Sequence, residues 1–287
     1  MRRSLVLIEQ AFRDHTPSLQ FSGGRDSSVL IDLVFARTSN RPPVIYVHNE
    51  IQHPDTLDFV RDRAAHYGAS LTVATPDRTA LEQWRAQGWP ILGCKAARVW
   101  MQKHRHLGIR INCEACCDRL KIKPGRAATR GLGCDAQLTG VRSADDENRD
   151  RVLHEHGACY TTAGLTIYHP IAHWTDVMVR RYLRQNGIPR DPSCEPGQIN
   201  GCQMCAGGWR FELNKLQYLR KQQPVQWWEF IVEQGAWLPL LVVKYRQPAR
   251  VVEAAVACLG GIEVLVERYP HVFDFGQVPP MRDYVKD

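Results

Sequence analysis

Apolar residues along this chain fall into two rhythms: short unbroken runs, and longer stretches in which they recur every three or four positions. Pro17-Ser18-Leu19-Gln20-Phe21 reads as a strand running into Gly23 and Gly24. Beyond them Val29, Leu30, Leu33 and Val34 keep helical spacing, with Asp26 and Ser27 in the first turn. Arg41-Pro42-Pro43 breaks that helix from Val44–Val47, a buried strand, and His48–Pro54 is the loop at its carboxyl end. A second helix runs from Asp55 through Leu57, Val60, Ala64 and Tyr67 to a stop at Gly68, and Leu71–Ala74 is the next strand. Residues 77–112 read as helices broken at Gly88-Trp89-Pro90. Asp135–Val141 is a further strand, Arg142–Arg151 a charged loop leaving it, and Thr161–His169 a strand or hairpin. Asp176–Gln185 is a helix with Val177, Tyr182 and Leu183 facing inward and Gly187 past its end. The first residues, Met1–Asp14, fit an amphipathic helix, since Glu9, Gln10, Arg13 and Asp14 end the apolar stretch too early for a signal peptide.

Strands alternating with helices predict an α/β fold, a doubly wound parallel sheet, with ligands bound outside the carboxyl ends of the strands. That rule puts Ser22–Ser28 and the loop beginning at His48 on one rim. From Trp209 onward the pattern changes to helices rich in Trp, Tyr and Gln, so residues 1–208 are expected to form the nucleotide-binding domain and 209–287 a helical C-terminal extension. No apolar run approaches the roughly 20 residues that cross a bilayer, and the expected location is cytoplasmic. The net charge of +7 suits an anionic ligand, nucleotide or nucleic acid, without choosing between them. Ten cysteines in a chain without an export signal point to metal or redox chemistry instead of disulfides.

Two stretches carry chemistry. In the first, Ser22-Gly23-Gly24-Arg25-Asp26-Ser27-Ser28, glycines at a strand-to-helix turn let backbone N–H groups approach an anion at a helix N-terminus. The serines can donate to phosphate oxygens, and Asp26 can hold a metal ion that bridges them. It is not a Walker loop, which ends in Gly-Lys-Ser/Thr. It resembles the SGGxDS loop of the PP-loop ATP pyrophosphatases, which split ATP between the α- and β-phosphates; Arg25 stands where Lys is usual. In the second, Cys113-Glu114-Ala115-Cys116-Cys117 is matched far along the chain by Cys202-Gln203-Met204-Cys205. Four thiolates suit zinc or a [4Fe–4S] cluster. Adjacent Cys116 and Cys117 strain a tetrahedral zinc, whereas a cubane offers irons on separate corners, so the cluster is favoured.

Cys116-Cys117, Lys121, Pro124 and Gly201-Cys202-x-x-Cys205 look like the cluster signature of assimilatory adenylylsulfate reductases, in the phosphoadenylylsulfate reductase superfamily built on the PP-loop fold. His53-Pro54-x-Thr56, Thr139-Gly140-x-Arg142 and His169-Pro170-Ile171-x-x-Trp174-Thr175 match the same superfamily, over roughly residues 15–210. The resemblance implies a [4Fe–4S] cluster on Cys116, Cys202 and Cys205, with Cys117 as the fourth ligand and Cys113 and Cys194 as its rivals. It also implies nucleotide contacts from Ser22–Ser28, His48 and Gly140, and phosphate or sulfate contact from Arg142. Lys121 would sit beside the cluster and stabilise its reduced state.

Two departures bear on activity. The reductases attack sulfur with a cysteine in a C-terminal Glu-Cys-Gly-Leu-His segment, while this sequence closes on Met281–Asp287 and its last cysteine, Cys258, has apolar neighbours. Their loop is also degenerate, whereas an intact SGGxDS pattern argues for ATP with Mg²⁺. Cys116–Ile122 is similar as well to the ATP-pyrophosphatase subunit of DNA phosphorothioation systems. The leading expectation is therefore an ATP pyrophosphatase, with Asp26, Arg142 and Lys121 as catalytic groups, that adenylates a nucleic-acid acceptor for sulfur supplied by a cysteine desulfurase. The alternatives are a reductase of adenylylsulfate or its 3′-phosphate, and a non-catalytic ATP-binding redox sensor. A basic belt around the cysteines, including Arg98, Lys103, Arg119, Lys123, Arg126 and Arg130, offers a track for a nucleic-acid backbone.

Overall fold

The structure is a computed structural model, and it describes residues 1–53, 55–88, 102, 113–145, 147–191 and 202. The first helix, α1 (Arg2–Asp14), buries Ser4, Ile8 and Ala11 along one face and leads into β1 (Pro17–Gln20). Then follow α2 (Arg25–Arg37), β2 (Val44–Val47), α3 (Asp55–His66), β3 (Leu71–Ala74) and α4 (Ala80–Gln87). The start of α4 carries a capping box in which Thr79 and Glu82 satisfy each other's backbone N–H groups. After the undescribed stretch come a short helix α5 (Cys113–Cys117), a π-helical turn (Asp118–Ile122), α6 (Lys123–Gly131) and β4 (Ala136–Leu138). A 3₁₀ turn (Ser143–Asp145), α7 (Glu147–His156), β5 (Cys159–Thr162), β6 (Leu165–Tyr168) and α8 (Asp176–Gln185) complete the described unit.

The six strands form one sheet in the order β3-β2-β1-β4-β6-β5. All neighbours are parallel except β5 and β6, an antiparallel hairpin whose turn residues Ala163 and Gly164 both have positive φ, as a two-residue loop of this kind requires. The chain winds outward from β1 to β3 and then returns across β1 to β4. This is the doubly wound arrangement expected from the sequence, and its strand order reverses between β1 and β4. Leu19, Val44, Tyr46, Ala136 and Leu138 from these strands, and Phe21 just past β1, are buried with α2, whose Val29–Phe35 run is buried on every side. Burying a side chain such as Leu19 contributes roughly 1.5–3 kcal/mol.

A polar link ties the helices behind the sheet. Asp32 of α2, almost fully buried, accepts hydrogen bonds from Tyr67 Oη (2.8 Å) and Tyr182 Oη (2.7 Å), so α3 and α8 are fastened to α2 through one carboxylate. Trp174 Nε1 donates to Ser4 Oγ at 2.9 Å and fastens the segment before α8 to α1.

Two expectations need correcting. Residues 147–156 of the charged stretch are a helix, which polar composition hid because the segment offers only Val152 and Leu153 as apolar markers. Val177 points outward, 67% exposed, and the buried stripe of α8 runs instead through Val179, Tyr182 and Leu183. Residues 1–90 and 112–203 make up one compact unit, which carries all six strands of the sheet. The expected boundary at 208/209 and the C-terminal helices lie outside the described residues, as do Cys194, Cys205 and Cys258.

Candidate functional site

The loops leaving the carboxyl ends of β1 and β4 open a cleft of about 920 Å³ at the point where strand order reverses. Its phosphate-loop side is built by backbone geometry. Gly23 has φ +78°, and a Cβ there would lie 3.0 Å from Asp191 Oδ2 and 3.3 Å from Thr56 Cγ2, so the turn is closed to side chains. Gly24 precedes α2 without a side-chain cap, leaving the first-turn N–H groups of a thirteen-residue helix to a ligand. Ser22 Oγ and Ser27 Oγ are 3.1 Å apart, and Ser27 Oγ donates to the Gly24 carbonyl at 3.0 Å, which fixes both hydroxyls beside those N–H groups. Opposite, Gly140 follows β4 so closely that a Cβ would come 2.9 Å from the Ser27 nitrogen and 3.0 Å from the Asp26 carbonyl carbon. Only glycine lets the two loops meet.

Charge at the site is organised around one arginine. Arg142 is 2% exposed. Its Nε lies 2.8 Å from Asp26 Oδ1, and its Nη2 lies 2.7 Å from Asp145 Oδ1 and 2.9 Å from Asp176 Oδ1. Nη1 donates to the Trp174 carbonyl at 3.3 Å. Asp145 also takes Arg149 Nη1 at 2.6 Å, and Arg25 Nη2 approaches Asp176 at 3.9 Å. Burial raises the pKa of Asp26 despite the attraction of Arg142, with repulsion from Asp145 adding to the rise. Asp176, more exposed, is lowered by the hydrogen bond from the same guanidinium. Burial decides between the two carboxylates. Although Asp26 Oδ1 and Arg142 Nε are in ionic contact, both are buried and neither makes a directed hydrogen bond. An acid on the cleft wall, held at one buried oxygen by an arginine and with its second oxygen left over, suits a Mg²⁺ ion, which takes one or two carboxylates and completes its shell with phosphates and water.

The opposing wall comes from the π-helical turn and α6, which bring Lys121 and Arg126 to the cleft. Underneath, Thr129 Oγ1 accepts from Gln137 Nε2 (2.6 Å) and Gln20 Nε2 (3.3 Å), pinning α6 to β1 and β4. His169 also lines the cleft. Its Nδ1 is 2.6 Å from Thr139 Oγ1, and burial, helped by the Arg149 charge, lowers its pKa to about 4, so it is neutral at physiological pH. Of the residues expected at the site, Ser22, Gly24, Arg25, Asp26, Ser27, Lys121 and Gly140 line the cleft. Gly23, Ser28, His48 and Arg142 stand behind it. Ser28 is buried in α2, and His48 turns its ring toward Tyr46, with Nδ1 buried and unbonded. Gln20 and Gln137 had no local signal as cleft residues, since they meet only through sheet pairing; Thr139 and His169 lay in motifs marked from the sequence, but their contact with each other was not expected.

Among the cysteines, Cys116 is buried and its Sγ receives the indole N–H of Trp84 at 3.1 Å. Cys117 is exposed, and Cys202 pairs through its backbone with Gln52, a cleft residue. Sulfur donors of this kind suit a thiolate-bound iron cluster. Among the described residues no three His, Cys, Asp or Glu side chains gather as a metal site, and Cys205 lies outside them.

A family model described as phosphoadenosine phosphosulfate reductase domain matches residues 16–207, more than half of the chain. The chain belongs to this family. It is 28% identical over 184 residues to a phosphoadenosine 5′-phosphosulfate reductase of Alkalilimnicola ehrlichii, covering 63% of this chain and 66% of that one, just under two thirds of its length. Over 194 residues it is 24% identical to an adenosine 5′-phosphosulfate reductase of Oceanobacillus iheyensis, covering 64% of this chain and 68% of that one. A crystal structure of phosphoadenylyl-sulfate reductase from Candida auris, a phosphate complex, superimposes with a TM-score of 0.48 at 19% identity, over 69% of this chain and 87% of that one. Three of the sequence motifs converge on one cleft: Ser22–Ser27, Thr139-Gly140 and His169 all contribute to its walls.

Proposed function

We propose that this family member is an ATP pyrophosphatase that adenylates an acceptor oxygen so that sulfur can replace it, with nucleic acid as the acceptor, DNA phosphorothioation ahead of tRNA thiolation. The observation that carries the reading is the Asp26 carboxylate on the same cleft wall as Ser22, Ser27 and the open N-terminus of α2. A helix N-terminus offers about half a unit of positive charge, far short of a triphosphate. Mg²⁺, held by Asp26, would supply further positive charge to the triphosphate. Ser22 and Ser27 would orient those phosphates, and Arg25, Lys121 and Arg126 would stabilise charge as the bond between the α- and β-phosphates breaks and pyrophosphate leaves. Cys116, Cys117, Cys202 and Cys205 are the residues that would hold a [4Fe–4S] cluster, and a cysteine desulfurase is the sulfur donor that fits the scheme.

Anaerobic incubation with ATP and Mg²⁺ is expected to release pyrophosphate, and Asp26→Ala to abolish the release. If no pyrophosphate and no adenylated product forms with any acceptor offered, the reading fails. The names of the relatives favour a second reading, reduction of adenylylsulfate or its 3′-phosphate. Sulfite release from either sulfonucleotide with thioredoxin as reductant, in place of pyrophosphate from ATP, would put that reading first.

A further inference from the structure

We infer that Arg142 is a positioning residue, which holds the Asp26 carboxylate in place for a magnesium-bound triphosphate and itself touches no part of the substrate. The inference rests on the proposed ATP reading. Asp26 and Asp145 form part of the cleft surface, and the Arg142 guanidinium lies behind them, 2% exposed. Its three carboxylate partners come from three separate elements: Asp26 from the first turn of α2, Asp145 from the 3₁₀ turn after β4, and Asp176 from the first turn of α8. The planar fork meets all three at once, Nε facing Asp26 and Nη2 facing both Asp145 and Asp176, at 2.7–2.9 Å. The Arg142 backbone N–H adds a fourth tie, donating to Asp145 Oδ2 at 3.0 Å.

For Arg142 to reach a phosphate it would have to abandon these carboxylates in a buried setting, where an uncompensated charge is strongly destabilising. Its contact with Asp26 is different in kind from the others. Oδ1 and Nε meet at 2.8 Å, yet neither makes a directed hydrogen bond. Asp26 is therefore held by charge through its buried Oδ1, and its other oxygen is the one left for a ligand. A carboxylate so held keeps its place on the cleft wall and can still turn an oxygen toward an arriving cation.

The test is calorimetric titration of ATP into the full chain, once with a chelator and once with Mg²⁺. In the wild type Mg²⁺ is expected to tighten ATP binding. Arg142→Lys keeps one charge and loses the fork. It is expected to bind ATP within about threefold of wild type in chelator, while the tightening by Mg²⁺ shrinks by about tenfold. Asp176→Asn removes a half-exposed partner at less structural risk and is expected to shrink the magnesium effect in the same direction by a smaller factor; it decides the matter if Arg142→Lys does not fold. Equal weakening with and without Mg²⁺ would make Arg142 a substrate ligand, and no change in either condition would leave it without a role. Both outcomes overturn the inference. Failure of the wild type to bind ATP at all removes the ATP reading first, a result visible before any variant is made.

Discussion

Acidification probes the wall of the cleft through His169. This side chain is 4% exposed at the carboxyl end of the sheet, and its imidazole keeps its neutral form down to about pH 4, against 6.5 for the free side chain. Between those values the unfolded chain takes up a proton that the folded chain refuses. The group therefore leaves stability untouched above 6.5 and removes it progressively as pH falls toward 4. Integrated down to about pH 4.5, the loss amounts to about 2–3 kcal/mol, a large share of the roughly 5–15 kcal/mol that a folded domain commands. Carboxylates titrate near the same window, so the informative quantity is a difference between two proteins. Wild type and His169→Asn are unfolded with denaturant at about pH 7 and about pH 4.5. Asn keeps an amide able to bond Thr139 but accepts no proton. Wild type is expected to lose about 2–3 kcal/mol more than the variant over this interval. Parallel losses, agreeing within about 0.5 kcal/mol, would show that burial does not hold His169 neutral and would refute the account of the cleft wall.

Gly140→Ala places a methyl group 2.9 Å from the Ser27 backbone nitrogen, and backbone on both sides leaves little room to yield. The expected result is a loss of about 1–3 kcal/mol in denaturant stability together with weaker ATP binding, because the loop after β4 must retreat from α2. Tyr182→Phe deletes one of the two hydroxyls bonded to buried Asp32, and unfolding measurements are expected to register a loss of about 1.5–3 kcal/mol with ATP affinity unchanged, since this contact lies behind the sheet.

How much of the fold and the cleft was legible in the sequence depended on how local each signal was. The turn Gly23-Gly24, the strand before it and the helix after it are set by adjacent residues, and the structure has them within a residue of expectation. The strands Val44–Val47 and Leu71–Ala74 have the expected bounds, because proline or glycine punctuates both. Helix Glu147–His156 was hidden for the opposite reason: it lies at the edge with no buried stripe to mark it. Arg142 shows the limit most clearly. Its neighbourhood in sequence suggested an anion-binding loop, but two of its three carboxylate partners come from residues 26 and 176, brought together only by the reversal of strand order. A charged residue in a motif can be read for its sign from the sequence; whether it meets the ligand or another side chain is decided by tertiary packing.

The same reversal bears on what the cysteines are for. Lys121 and Ile122 of the cleft wall continue directly from Cys117 through a π-helical turn, a conformation found disproportionately at functional sites. On the other side Gln52 belongs to the cleft, pairs through its backbone with Cys202, and has its side-chain oxygen held by Tyr46 Oη at 2.9 Å and the Asn49 N–H at 3.1 Å. Cys117 and Cys202 are thus each a short step from the cleft, one along the chain and the other through a backbone pairing. A purely structural metal site has no need of that adjacency and would serve as well at a remote corner of the fold. The proposed chemistry, in which nucleotide activation and sulfur delivery occur in sequence, would need it, and the adjacency of Cys117 and Cys202 to the cleft supports that proposal over the alternative of a non-catalytic nucleotide-binding scaffold.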